Sequence, residues 1–228
     1  MTEEKIRERQ VSDSLLVGIL LALTGGFLDA YSYLVRGEVF ANAQTGNMVL
    51  LGIYLSKGQW VKALYYLVPI FSFVVGVVIA QLVKNNYKES TRIHWRQIVI
   101  AVELVVLLIV AFIPQGYNMI ANVSISFVCS MQVQSFRKVN GNPFATTMCT
   151  GNLRSATEHL CNYHKEKDIA LLKKSLQYYL IIAVFIAGAI TGCLLSGILQ
   201  EKSILICCAV LFLVLLLMCR RDNLTIND

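Results

Sequence analysis

Two carboxylates lie inside apolar stretches, Asp29 in "GGFLDAYSYL" and Glu103 in "IVIAVELVVLL". An ionisable group at such a depth is costly unless paired, solvated or neutralised, so each marks a functional position by default. A carboxyl whose proton affinity changes with exposure can couple solute movement to a proton gradient, and Asp29 and Glu103 are the candidate ion-coupling residues. Asp29 is the stronger: it follows Gly25 and Gly26, where a helix can be opened or closely approached, and has Tyr31, Ser32 and Tyr33 beside it. The plainer roles are a hydrogen bond to a hairpin backbone for Asp29 and a helix–helix contact for Glu103.

A second kind of chemistry comes from a phrase written twice. Residues 41–47 read "ANAQTGN" and residues 145–152 read "ATTMCTGN", each directly after a Phe (Phe40, Phe144). Thr45, Gly46 and Asn47, like Thr150, Gly151 and Asn152, are residue types that start a helix after a turn. Thr or Asn can cap unpaired N–H groups, and Gly permits a tight turn or close approach. The N-terminus of a short helix carries partial positive charge, so two of them aimed at one centre suit an anion, a carboxylate or a dipolar solute. The alternative is that both turns only cap and pack. Ser130, Gln132 and Gln134 occupy the second-half counterpart of the Asp29 region and are candidate solute contacts, with interhelical hydrogen bonds as their alternative.

The elements that must position these groups are membrane helices. The chain has 228 residues, 56% hydrophobic and 15% charged, with a mean hydropathy of +0.61. Six stretches approach the roughly 20 residues needed to cross a bilayer: 14–34, 60–83, 97–114, 117–136, 178–199 and 203–219. With these as spans, the 20 Lys and Arg divide 16 against 4 (Arg36, Lys57, Lys62 and Lys202) across the membrane. If both Thr-Gly-Asn segments also crossed, the division would be 11 against 8, with Arg154 left inside the bilayer. The expected arrangement therefore has six spans, with both termini cytoplasmic. "MTEEKIRERQ" mixes acids with bases and no small-x-small site follows the first apolar run, so no cleaved signal is expected. "TGNMVLLGIYLS" is apolar but too short to cross, and "GNLRSATEHLCNYHKEKD" is too charged, so both are expected to enter partway and return.

The halves align around Phe40 and Phe144 at an offset of 104, and Ser72, Gly76 and Ala80 match Gly188, Gly192 and Ser196 at an offset of 116. Three spans per half is an odd number, so the halves must lie inverted, an architecture whose sites sit near the midplane. The fold expectation is all-α: an N-terminal segment 1–13, repeats at 14–114 and 115–219, and a tail at 220–228, each repeat carrying a re-entrant hairpin. The small-residue faces join helices within one chain or between two copies of a homodimer.

Other chemistry is weakly represented. The seven Cys contain no C-x-x-C pair and read as reduced core residues. Glu158, Cys161 and His164 are spaced too loosely for a metal site, and neither a metal nor another cofactor is expected. No nucleophile–base–acid set or phosphate loop is present, so the chain does not read as an enzyme. The net charge of +6 comes from residues flanking membrane stretches and does not point to nucleic acid.

"GGFLDAYSYL", "VFANAQTGN" and "MQVQSFRKVNGNPFATTMCTGN" resemble the YoaK-like family of bacterial integral membrane proteins, over about residues 17–199. The resemblance implies a polytopic inner-membrane protein and no established substrate or reaction. The family pattern more usually has Asn where Val133 stands and Thr where Asn152 stands, which leaves Asp29 without a polar mate at Val133. The leading expectation is a small-solute transporter or channel embedded in the lipid bilayer, with a central site between two half-helices; the alternative is a membrane scaffold or accessory subunit.

Overall fold

The computed structural model describes residues 14–87, 94–139, 142–144 and 147–222. The expected N-terminal segment, Gly141, and the end of the tail lie outside the described residues. Within them the chain is helical apart from one short ribbon. The described residues form eight α-helices: α1 (Leu15–Val35), α2 (Gln44–Ser56), α3 (Trp60–Tyr87), α4 (Trp95–Val110), α5 (Asn118–Ser135), α6 (Cys149–Glu166), α7 (Ile169–Leu199) and α8 (Leu205–Asp222). The ribbon pairs β1 (Lys138–Val139) antiparallel with β2 (Asn142–Pro143) ahead of the second Thr-Gly phrase.

Three helical stretches are long and apolar enough to cross a membrane: Leu15–Val35, Trp60–Tyr87 and Ile169–Cys219. The last, 51 residues, is not one rod. At Gln200 the backbone takes φ 50°, a 3-10 turn covers Gln200–Ile204, and Ser203 Oγ donates to Gln200 O at 2.8 Å, which divides it into α7 and α8. Helix α7 begins nine residues before the apolar stretch that marked it. Asp168 Oδ1 accepts from Ala170 N at 2.8 Å and starts the helix within the polar segment.

Packing is set by small residues. A Cβ on Gly26 would run into the Phe185 carbonyl oxygen, and one on Gly188 into that of Leu23, so α1 and α7 touch backbone to backbone. Helices α3 and α5 meet in the same way: a Cβ on Gly76 would strike the Phe127 carbonyl oxygen and Ser130 Oγ, and Ser72 Oγ donates to Val123 O at 2.8 Å. The remaining main contacts are α2 on α3, α6 on α7, α4 on α5, α8 on α1, and α4 on α8. A core of Val17, Leu21, Leu28, Ile100, Ile125, Cys207 and Leu211, among others, fills the space between α1, α4, α5 and α8.

Burial revises one alignment. Ala63, Tyr66, Pro69, Gly76 and Ala80 are buried on α3, and Ser175, Tyr178, Ile181, Gly188 and Gly192 are buried on α7, at a constant spacing of 112. The small-residue pattern alone sets these helices one turn out of register, because a stripe that repeats every four residues matches itself after a four-residue slip. The corrected spacing pairs two aromatic stacks: Tyr54 on Tyr66, centroids 5.5 Å apart, and His159 on Tyr178, 5.8 Å apart.

Candidate functional site

Asp29 is buried on α1, and its carboxylate faces the backbone that leads into α2. Oδ1 accepts from Asn42 N at 2.8 Å and from Ala43 N at 3.3 Å. One turn along, Ser32 Oγ accepts from Ala41 N at 3.1 Å, and Asn42 Nδ2 donates back to Gly25 O at 3.3 Å. The loop is thus fastened to α1 along two turns. The positive end of α2 faces a resident carboxylate, which is the favourable sign for a helix N-terminus.

The Thr-Gly-Asn residues do not cap as their types suggest. The N-cap residues are Ala43 and Met148, neither with a side-chain cap. Asn47 instead accepts from Phe40 N at 3.1 Å, donates to Phe40 O at 2.7 Å, and donates to Gln44 Oε1 at 2.9 Å, closing the loop on itself. Gly46 is required by contact: the Phe40 ring lies 2.7 Å from where its Cβ would be. Thr45 is exposed. In the second phrase Asn152 is buried, with its N–H on Met148 O at 3.3 Å, Thr150 is exposed, and Gly151 has open space where a Cβ would go.

The two phrases meet at Gly25. Thr147 Cγ2 lies 2.5 Å and Asn42 Nδ2 lies 3.6 Å from the position its Cβ would take. Cys149, the first residue of α6, is within electrostatic reach of Asp29; burial first, then that negative charge, hold its thiol above the usual cysteine range. The first turns of both short helices therefore approach one buried carboxylate.

The other expected contacts lie elsewhere. Ser130 Oγ donates to Phe127 O within its own helix, and Gln134 Nε2 donates to Gln81 Oε1 at 2.9 Å, between α5 and α3. Gln132, with its amide nitrogen toward Glu103, donates to both carboxyl oxygens at 2.8 and 3.1 Å. Glu103 and Gln132 form a buried pair between α4 and α5, apart from the loop junction. Glu103→Ala is expected to lower stability by about 1–3 kcal/mol, because it strands a buried amide. The double variant Glu103→Leu/Gln132→Leu should recover most of that loss, since both polar partners go together. Thermal melts of the purified protein measure both, and equal losses in the two would show that the pair is not what matters.

Several residues carry more than their types suggested. Arg36, which sorts by sequence as a loop charge, is fully buried: Nε donates to Tyr31 Oη at 2.8 Å, Nη1 to Ile113 O at 2.7 Å, and Nη2 to Val110 O at 2.9 Å. It holds the C-terminal end of α4. Gln44 and Ser126 tie the loop to α5, with Gln44 Nε2 donating to Ser126 Oγ at 3.3 Å and Ser126 Oγ to Ala41 O at 3.2 Å. Asn42, inside the repeated phrase, lies at the junction itself. Its place directly before the turn was the available signal.

Among curated proteins, the chain is 30% identical over 183 residues to the UPF0700 transmembrane protein YoaK of Bacillus subtilis (strain 168), covering 75% of this chain and 79% of that one. No solved structure matches it. The pattern of one family, described as protein of unknown function (DUF1275), matches residues 17–217, from the first turn of α1 almost to the end of α8. With the Thr-Gly phrases, Asp29 and both small-residue crossings inside that range, the chain is a transmembrane protein that belongs to the YoaK-like DUF1275 family.

Proposed function

We propose that the protein is a small-solute transporter or channel of the cytoplasmic membrane, working at the junction of the two Thr-Gly phrases. In this reading α1, α3, α4, α5, α7 and α8 span the bilayer with both termini cytoplasmic, α2 and α6 are re-entrant, and the halves are inverted repeats. The observation that carries it is the meeting of Asn42 and Thr147, from opposite halves, at Gly25 beside the buried carboxylate of Asp29. Broken helices that meet at a repeat interface are where secondary transporters hold their solutes. The exchange of partners supports the repeat: α1 lies on α7 as α5 lies on α3, α2 on α3 as α6 on α7, and α8 on α1 as α4 on α5.

Asp29 is the proposed coupling group and Glu103 a second ionisable position at depth. The remaining Thr-Gly-Asn residues shape the junction, while Ser130, Gln132 and Gln134 brace the helices behind it. A scaffold or accessory subunit is the second reading, favoured by how many of the first loop's N–H groups are bonded within the chain. A homodimer would need surfaces other than the α1–α7 and α3–α5 faces, which are occupied within the chain.

Impermeant labelling of tags placed after Lys57 and after Glu166 is expected to reach the first from outside intact cells and the second only after permeabilisation. In proteoliposomes the wild type should then show gradient-driven flux that Asp29→Asn abolishes. Labelling from one side at both tags removes the inverted arrangement, and undiminished flux in Asp29→Asn removes that residue from the mechanism.

A further inference from the structure

We infer that the solute held at this junction is a small monovalent cation, and not the anion that two helix N-termini by themselves would suggest. The inference rests on the transporter reading for its site and deepens it.

The loop before α2 has few donors left for an anion. The N–H groups of Asn42 and Ala43 go to Asp29, that of Ala41 to Ser32, and that of Phe40 to Asn47; those of Gln44 and Gly46 go to the carbonyls of Asn42 and Ala43. The negative charge that a helix N-terminus attracts is already present as Asp29. Among the described residues nothing cationic opposes that carboxylate: what bears on it is burial and the backbone N–H groups of residues 41–43.

An acceptor, by contrast, is in surplus. Asn42 is 9% exposed, and its Oδ1 is buried without a hydrogen-bond partner. The amide cannot turn round without cost, because Nδ2 is donating to Gly25 O. The Cys129 thiol lies close to the Asn42 side chain, yet Oδ1 keeps no hydrogen-bond partner. Buried polar atoms are nearly always partnered, so an orphan acceptor on the residue whose own N–H holds the Asp29 carboxylate is a place for positive charge. Oxygen acceptors on irregular backbone beside a broken helix are what alkali and ammonium ions require. One carboxylate matches one unit of charge. Among the described residues no group of three or more His, Cys, Asp or Glu could hold a more highly charged metal.

Sodium, potassium, methylammonium and choline chlorides, with sodium acetate for the anion, are titrated at constant ionic strength into the purified full chain in detergent and followed by thermal shift and calorimetry. Saturable binding of a small cation, with choline inert, is expected. Affinity should fall at least tenfold in Asn42→Ala and in Asp29→Asn, and persist in Asn42→Asp, which keeps an acceptor and guards against misfolding of the alanine variant. Methylammonium binding without alkali-ion binding assigns an N–H-bearing ion, and the reverse a bare one. Saturable binding of acetate alone, no cation binding, or cation binding unchanged in Asn42→Ala overturns the inference, the last two leaving Oδ1 a place for ordinary water. Cation binding without flux retains this inference and removes the transporter reading; acetate flux without cation binding does the opposite.

Discussion

Arg36→Ala is expected to lower the thermal midpoint of the purified protein by roughly 6–12 °C, the largest loss from any single side chain outside the loop junction. The guanidinium is buried and reaches two carbonyls at the end of α4, Val110 O and Ile113 O, together with Tyr31 Oη on α1. Val110 O keeps a second donor in Ile113 N, and Tyr31 Oη still donates to Glu201 O, but Ile113 O loses the donor that holds it. A stranded buried acceptor, the empty volume of a long side chain and the lost cation at a helix C-terminus together amount to about 3 kcal/mol. For a chain of this size each kcal/mol corresponds to about 2–4 °C. Arg36→Lys is not expected to restore the midpoint, because one ammonium cannot span three acceptors that a planar fork reaches together. Hydrogen exchange near residues 107–113 should rise in parallel. An Arg36→Ala protein that melts within a degree or two of wild type would show that α4 is held by its apolar face alone.

Gly26→Ala is the second large effect. A single methyl there meets the carbonyl oxygen of Phe185, which is backbone and cannot rotate away, so α1 and α7 must separate. Overpacking of this kind costs about 1–3 kcal/mol and more where neither side can yield. Gly188→Ala should behave alike, since its methyl meets the Leu23 carbonyl oxygen across the same crossing. Gly52→Ala provides the opposite expectation: it lies within α2 with nothing within 4 Å of a Cβ, so alanine should stabilise by about 0.4–1 kcal/mol. Melting curves of the three variants decide it. Equal tolerance of alanine at Gly26 and Gly52 would mean that the α1–α7 crossing is looser than described.

Much of the fold is legible in the order of residues because length and hydropathy act locally. The eight helices fall on the six apolar stretches and the two Thr-Gly segments, and the N-terminal half of α2 begins within the phrase that announced it. The start of α7 was missed because Asp168 nucleates a helix through polar residues that carry no membrane signal. The slip of one turn between α3 and α7 has a related cause: glycines and serines four apart identify a contact face but not where along it the partner sits. Asp29 was legible as a residue out of place at depth. Asn42 was not, since an asparagine before a turn resembles any loop residue until its neighbours leave one oxygen unpartnered.

By itself the sequence determined that the chain is a membrane protein, that it writes one Thr-Gly-Asn phrase twice, and that Asp29 and Glu103 must be satisfied in the interior. Those follow from the energy of each residue in an apolar medium, which depends on type and spacing and not on partners. Tertiary structure alone decided what satisfies them. It set Asp29 against the N–H groups of Asn42 and Ala43, Glu103 against Gln132, and Arg36 against the carbonyls ending α4. The physical reason is that hydrogen bonds act over about 3 Å, so a partner 13, 29 or 77 residues away along the chain is chosen by how helices cross and not by any pattern within them.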